Sequence, residues 1–169
     1  MTNFEGYPVE ALVTDDDHNS EDDGTIVKNV KTLSSSVVGR KIVSVDRNFH
    51  KIVDRSEEFK WASSISGTAL GLDDGTKVVL VDTDDCCAYT ELQDIVLNLD
   101  TIEHVIMGVG TTEGYTKWHI YANLGDVAEL KVGWSCGNPF YYGYGFDIYV
   151  VSADGEIHEV EDEDDNEES

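Results

Sequence analysis

Any chemistry in this chain would centre on "DTDDCCAYTELQD", residues 82–94, where three carboxylates fall within four positions and two adjacent cysteines follow. Asp82, Asp84 and Asp85, helped by Glu91, offer the oxygen donors that a magnesium ion takes. A cation held there would make the protein a metal-assisted hydrolase. Other metals fit poorly. Read as a calcium loop from Asp82, the run puts Cys87 where the turn glycine belongs and Gln93 where the bidentate glutamate belongs. A zinc site wants separated pairs of ligands, and adjacent residues of an extended chain point to opposite faces. Hard carboxylates mixed with soft thiolates suit no single metal well.

A thiol nucleophile fares no better at Cys86 and Cys87. A position just ahead of a helix start lowers a cysteine pKa, but the three aspartates disfavour a thiolate. The two histidines of the central region, His104 and His119, stand in no recognisable relation to the cysteines and read as ordinary sheet-face residues. The plainer reading of residues 82–94 is a polar connector whose acids form turns and a helix cap. No catalytic residue and no cofactor is therefore assigned. "GVGTTEG" (108–114) lacks the lysine and the following helix of a phosphate loop and reads as a hairpin turn.

A second distinctive run is "WSCGNPFYYGYGFDIYV", residues 134–150. Tyr142, Tyr144, Phe146, Ile148 and Val150 alternate onto one face, with Gly143 and Gly145 between them. Such a strand either buries its rings over neighbouring glycines or presents them to a partner. Tyr142, Tyr144 and Phe146 are the candidates for partner contact.

The elements that must position these residues are mostly strands. Residues 37–46, 67–83, 103–113, 115–124, 127–136 and 141–151 carry β-branched or alternating patterns, and Asp73-Asp74-Gly75 supplies a tight turn inside the second. Trp118, Ile120, Ala122 and Leu124 alternate against Lys117, His119, Tyr121 and Asn123, and Leu130, Val132 and Trp134 against Glu129 and Lys131. Leu92, Ile95, Val96 and Leu99 fall at i, i+3, i+4 and i+7, the stripe of a helix, with Thr90 and Gln93 spaced as its capping box. Periodicity does not decide residues 47–66. The expected fold is α+β: an antiparallel sheet of about six strands with one main helix on one face.

Charge divides the chain. The net charge is −24. Residues 1–36 hold eight acids against two bases, and residues 153–169 hold ten acids against none. Segments of that composition bury too little apolar surface to order themselves, so both are expected to be largely disordered, with Ser34-Ser35-Ser36 a flexible approach to the first strand. The single domain is expected over residues 37–152. Three cysteines, two of them adjacent, permit no disulfide framework. The N-terminal residues lack the basic and apolar regions of a secretion signal, and no apolar run nears the roughly 18–20 residues of a membrane span. So acidic a chain is repelled by nucleic acid and attracted to basic protein surfaces.

"DTDDCCAYTELQDIVLNLDTIEHVIMGVGTTEGYTKWHIYANLGD" together with "VGWSCGNPFYYGYGFDI" resembles a small uncharacterised domain family of bacteriophages of actinobacteria, mycobacteriophages especially. The resemblance covers about residues 38–151 and leaves out both acidic tails. It carries no activity and no catalytic residues. It implies a phage gene product acting in the host cytoplasm, or a minor structural virion protein. The function expected is a non-enzymatic phage accessory protein that binds a host or phage protein with a basic surface; the metal-assisted hydrolase is the alternative.

Overall fold

A computed structural model describes residues 25–52, 64–85, 88–100, 102–113, 115–122, 125–135 and 145–160. Among the described residues the chain forms one helix, α1 (Thr25–Val37), and then ten strands: β1 (Ile42–Ile52), β2 (Ser64–Leu72), β3 (Lys77–Val81), β4 (Thr83–Asp85), β5 (Ala88–Leu97), β6 (Gly108–Thr112), β7 (Lys117–Ala122), β8 (Gly125–Ser135), β9 (Asp147–Val151) and β10 (Ile157–Val160). The strands form two five-stranded sheets, ordered β1-β2-β3-β9-β10 and β4-β5-β8-β7-β6. Every pairing is antiparallel. The class is α+β, but the single sheet of about six strands is replaced by two. Asp82 marks the division, since β3 ends in the first sheet at Val81 and β4 opens the second at Thr83.

The inner faces of both sheets and one side of α1 share a core. Trp118, Ile120 and Ala122 of β7 and Leu130 of β8 are fully buried, while Lys117 ahead of them and Tyr121 among them are half-buried. This follows the alternation read from the sequence except at His119, which is only 9% exposed. Gly75 takes φ +92° in the β2–β3 turn, which only a residue without Cβ adopts easily.

The helix is not where its apolar spacing pointed. Residues 88–97 are a strand, in which Ala88 and Thr90 are buried and Tyr89 and Glu91 exposed. Opposite β8, Leu92 pairs with Val132, Asp94 with Lys131 and Ile95 with Leu130, so Gln93 is the extra residue of a β-bulge. One bulge returns residues three apart to the same face, and this is what mimicked a helical i, i+3 step. The mimicry ends there, because Val96 is 59% and Leu99 78% exposed. Thr90 caps nothing: its buried hydroxyl accepts a hydrogen bond from the Gly145 N–H.

The true helix lies inside the segment expected to be disordered. In "TIVKNVKTLSSSV", Ile26, Val30, Leu33 and Val37 recur at helical spacing and are all buried. Ser34, Ser35 and Ser36 belong to its last turn, where the Ser35 and Ser36 hydroxyls donate back to the Thr32 carbonyl. Buried Asn29 clamps the Phe146 backbone from both sides, accepting from its N–H at 2.8 Å and donating to its carbonyl at 3.0 Å. Charge density alone had hidden this helix, since the acids cluster before residue 25. The C-terminal segment also contributes structure, because β10 pairs along β9 from Ile157 to Val160. Residues 1–24 and 161–169 lie outside the described residues.

Candidate functional site

A surface pocket of about 840 Å³ opens where the chain passes between the sheets, lined by Asp82, Thr83, Asp84, Ala88, Tyr89, Glu91 and Asp147. Four of these seven are carboxylates and none is a cation. Two sequence candidates, Asp82 and Asp84, thus reach the pocket together with Glu91. Asp85 is the last residue of β4 and pairs with Ala88. Cys86, Cys87, Tyr142 and Tyr144 lie outside the described residues.

Local folding explains how the acids converge. β4 and β5 form a short antiparallel ladder in which Thr83 faces Thr90. These two threonines hold one peptide unit: the Thr83 hydroxyl donates to the Gly145 carbonyl at 2.8 Å, and the Thr90 hydroxyl accepts from the Gly145 N–H. Gly145 sits at φ +94°, where a side chain would be strained. Two residues on, Asp147 pairs with Val81 at the start of β9 and lines the pocket. The grip of Thr83, Thr90 and Asn29 on residues 145 and 146 therefore fixes the fourth carboxylate. No local signal in the sequence announced Asp147; it arrives through strand pairing.

The Asp82 carboxylate accepts a hydrogen bond from the Leu92 N–H at 3.0 Å. Partial burial pushes its pKa above the ordinary value of 3.8; the Leu92 N–H works against that rise and the negative charge of Glu91 adds to it. The repulsion between Asp82 and Glu91 is what an entering cation would relieve. Among the described residues, however, these acids do not gather three donors into one coordination sphere.

Phe146 is not a contact surface. It is 4% exposed and meets Trp118 edge to face, with ring centroids 5.3 Å apart. Its alternation with buried Ile148 was correctly legible; its burial follows from α1, which the sequence reading lacked. His104 is half-buried in the turn before β6, beside a shallower pocket with Lys41, Glu103, Val105 and Met107. His119 is nearly buried and hydrogen-bonded at both ring nitrogens. The reading of these two as unremarkable sheet residues missed the partners of the second.

A family model described as a domain of unknown function, DUF7448, matches residues 35–148. The chain belongs to that family. The DUF7448 match takes in every strand of the second sheet and begins within the last turn of α1. No curated protein and no solved structure matches the chain. Among the described residues, no helix is long and apolar enough to cross a membrane.

Proposed function

We propose that this DUF7448 protein is a non-enzymatic bacteriophage accessory protein that binds a basic protein surface in the cytoplasm of the infected host. The observation that carries the binding half is the pocket at the sheet junction, with Asp82, Asp84, Glu91 and Asp147 and, among the described residues, no cation in its lining. Strand pairing fixes these acids in place, so their side chains receive a lysine or arginine without the entropy cost of ordering a loop. The phage setting rests on the motifs "DTDDCCAYTELQD" and "GWSCGNPFYYGYGFDI" described above. The acidic ends of the chain supply long-range attraction, and the pocket supplies a defined point of contact. Nucleic acid is disfavoured as a direct partner by the same negative field.

Capture from host lysate tests the proposal. Wild-type protein should retain a basic host protein at low salt and lose it at high salt, as expected of screened charge pairs. A variant carrying Asp82→Asn, Asp84→Asn and Asp147→Asn should retain much less at any salt. Equal capture by the variant would place the contact elsewhere.

A further inference from the structure

On the outward face of the second sheet, His119, Asp126 and Glu129 each offer a donor atom within 4.8 Å of the other two. His119 Nδ1 stands 2.9 Å from Asp126 Oδ2, and His119 Nε2 stands 2.9 Å from Thr112 Oγ1. Glu129 faces His119 directly across the β7–β8 ladder. We infer that His119, Asp126 and Glu129 form a binding site for a divalent transition metal of the zinc class, with Thr112 orienting the imidazole.

The backbone builds this trio by breaking its own alternation. Ile120 pairs with Ala128 but Tyr121 pairs with Asp126, so Val127 is an extra residue on β8. In an unbroken ladder Asp126 would share the inward face of Ala128 and Leu130. The bulge turns it outward beside His119 and Glu129, and drops Val127 into the core at 0% exposure. Bulges concentrate where a side chain must be re-aimed, often beside functional sites. Here the re-aimed residue is the one carboxylate that completes the set.

The donor chemistry suits the assignment. One imidazole and two carboxylates match a zinc-class ion, and three protein ligands leave a coordination position open to water. Two carboxylates also balance the charge of a divalent ion. With Nδ1 on the metal, Nε2–H donates to the Thr112 hydroxyl, the outer-shell bond that fixes the tautomer and the ring plane of a ligating histidine. Metal–ligand bonds of about 2.0–2.2 Å need donors about 3.4 Å apart, a modest closure of the trio. Lys117 competes: its Nζ lies 3.7 Å from Glu129 Oε2. It is also 3.4 Å from Glu113 Oε2, so it keeps a partner when Glu129 turns to the metal.

The site is separate from the acidic pocket, and its test is independent of partner binding. Full-length protein, stripped with a chelator, is titrated with cobalt(II) alone and then with zinc(II) alone. Wild type should take up one equivalent with visible ligand-field bands, which zinc abolishes. His119→Gln should lose the bands, and Thr112→Val should weaken affinity about tenfold, as loss of an outer-shell partner does. Lys117→Met, a change at a half-buried position, should tighten binding by freeing Glu129. Asp82→Asn with Asp84→Asn should bind as wild type does. Identical bands and affinity in wild type and His119→Gln would overturn the assignment, and so would a Lys117→Met variant that binds no better than wild type.

Discussion

Asp82 and Asn29 show how much a single side chain decides in this fold. The Asp82 pKa is raised on folding, chiefly by burial. A raised carboxyl binds its proton more tightly in the folded state, so folding is favoured below the unfolded pKa and that advantage is lost as pH rises through the folded value. Asp82→Asn should therefore be at least as stable as wild type at pH 7, with the difference vanishing below the ordinary carboxylate value of 3.8. Thermal melts of both proteins across that range check it; a variant less stable at pH 7 than at pH 3, relative to wild type, would contradict it. Asn29 is a different case, since its amide satisfies both backbone groups of Phe146 inside the core. Asn29→Ala leaves buried polar groups without partners at about 1–3 kcal/mol each, and Asn29→Leu should do no better despite its added apolar bulk. Denaturant unfolding measures both.

At the scale of elements, β5 carries the clearest test. Ile95, in the strand, is 1% exposed and Leu99, in the turn that follows it, 78% exposed, whereas a helical stripe would bury both. Ile95→Ala should cost about 2–5 kcal/mol and Leu99→Ala almost nothing, by chemical denaturation. Equal sensitivity at the two positions would restore the helix. The paired strands β7 and β8 and the β2–β3 turn were legible because alternation and turn chemistry are local. β5 was not, because one extra residue shifts the period of 2 into an i, i+3 pattern that local reading assigns to a helix. The bulge at Val127 hid the His119 cluster in the same way: strict alternation sends Asp126 to the wrong face. Three of the acidic pocket's carboxylates, Asp82, Asp84 and Glu91, stood in one conspicuous run. Asp147 is 63 positions after Asp84 in the sequence and comes beside it only through the pairing of β3 with β9. α1 was missed for a further reason, since the charge of residues 1–24 was averaged over a segment whose last third is an amphipathic helix.

For the whole molecule, the helix and β10 widen the folded unit beyond the residues that the DUF7448 match covers. A fragment of residues 35–148 lacks Ile26, Asn29, Val30 and Leu33, four of the residues that α1 buries. It should lose cooperative melting, while a fragment of residues 25–160 should melt as the full chain does; a cooperative transition in the shorter fragment would show that α1 is dispensable. The 25–160 fragment also separates the two sources of negative charge, because it drops most of the acids of both ends and keeps the pocket. Cation recognition by the pocket is therefore tested by the affinity of an arginine- and lysine-rich peptide, read by fluorescence anisotropy at low salt, for three proteins. These are the full chain, residues 25–160, and residues 25–160 with Asp82→Asn and Asp84→Asn. If the pocket makes the contact, the fragment keeps specific binding and the double substitution weakens it about tenfold, in line with up to about 1 kcal/mol for each exposed charge pair. Binding that disappears with the two ends and ignores the double substitution would contradict it.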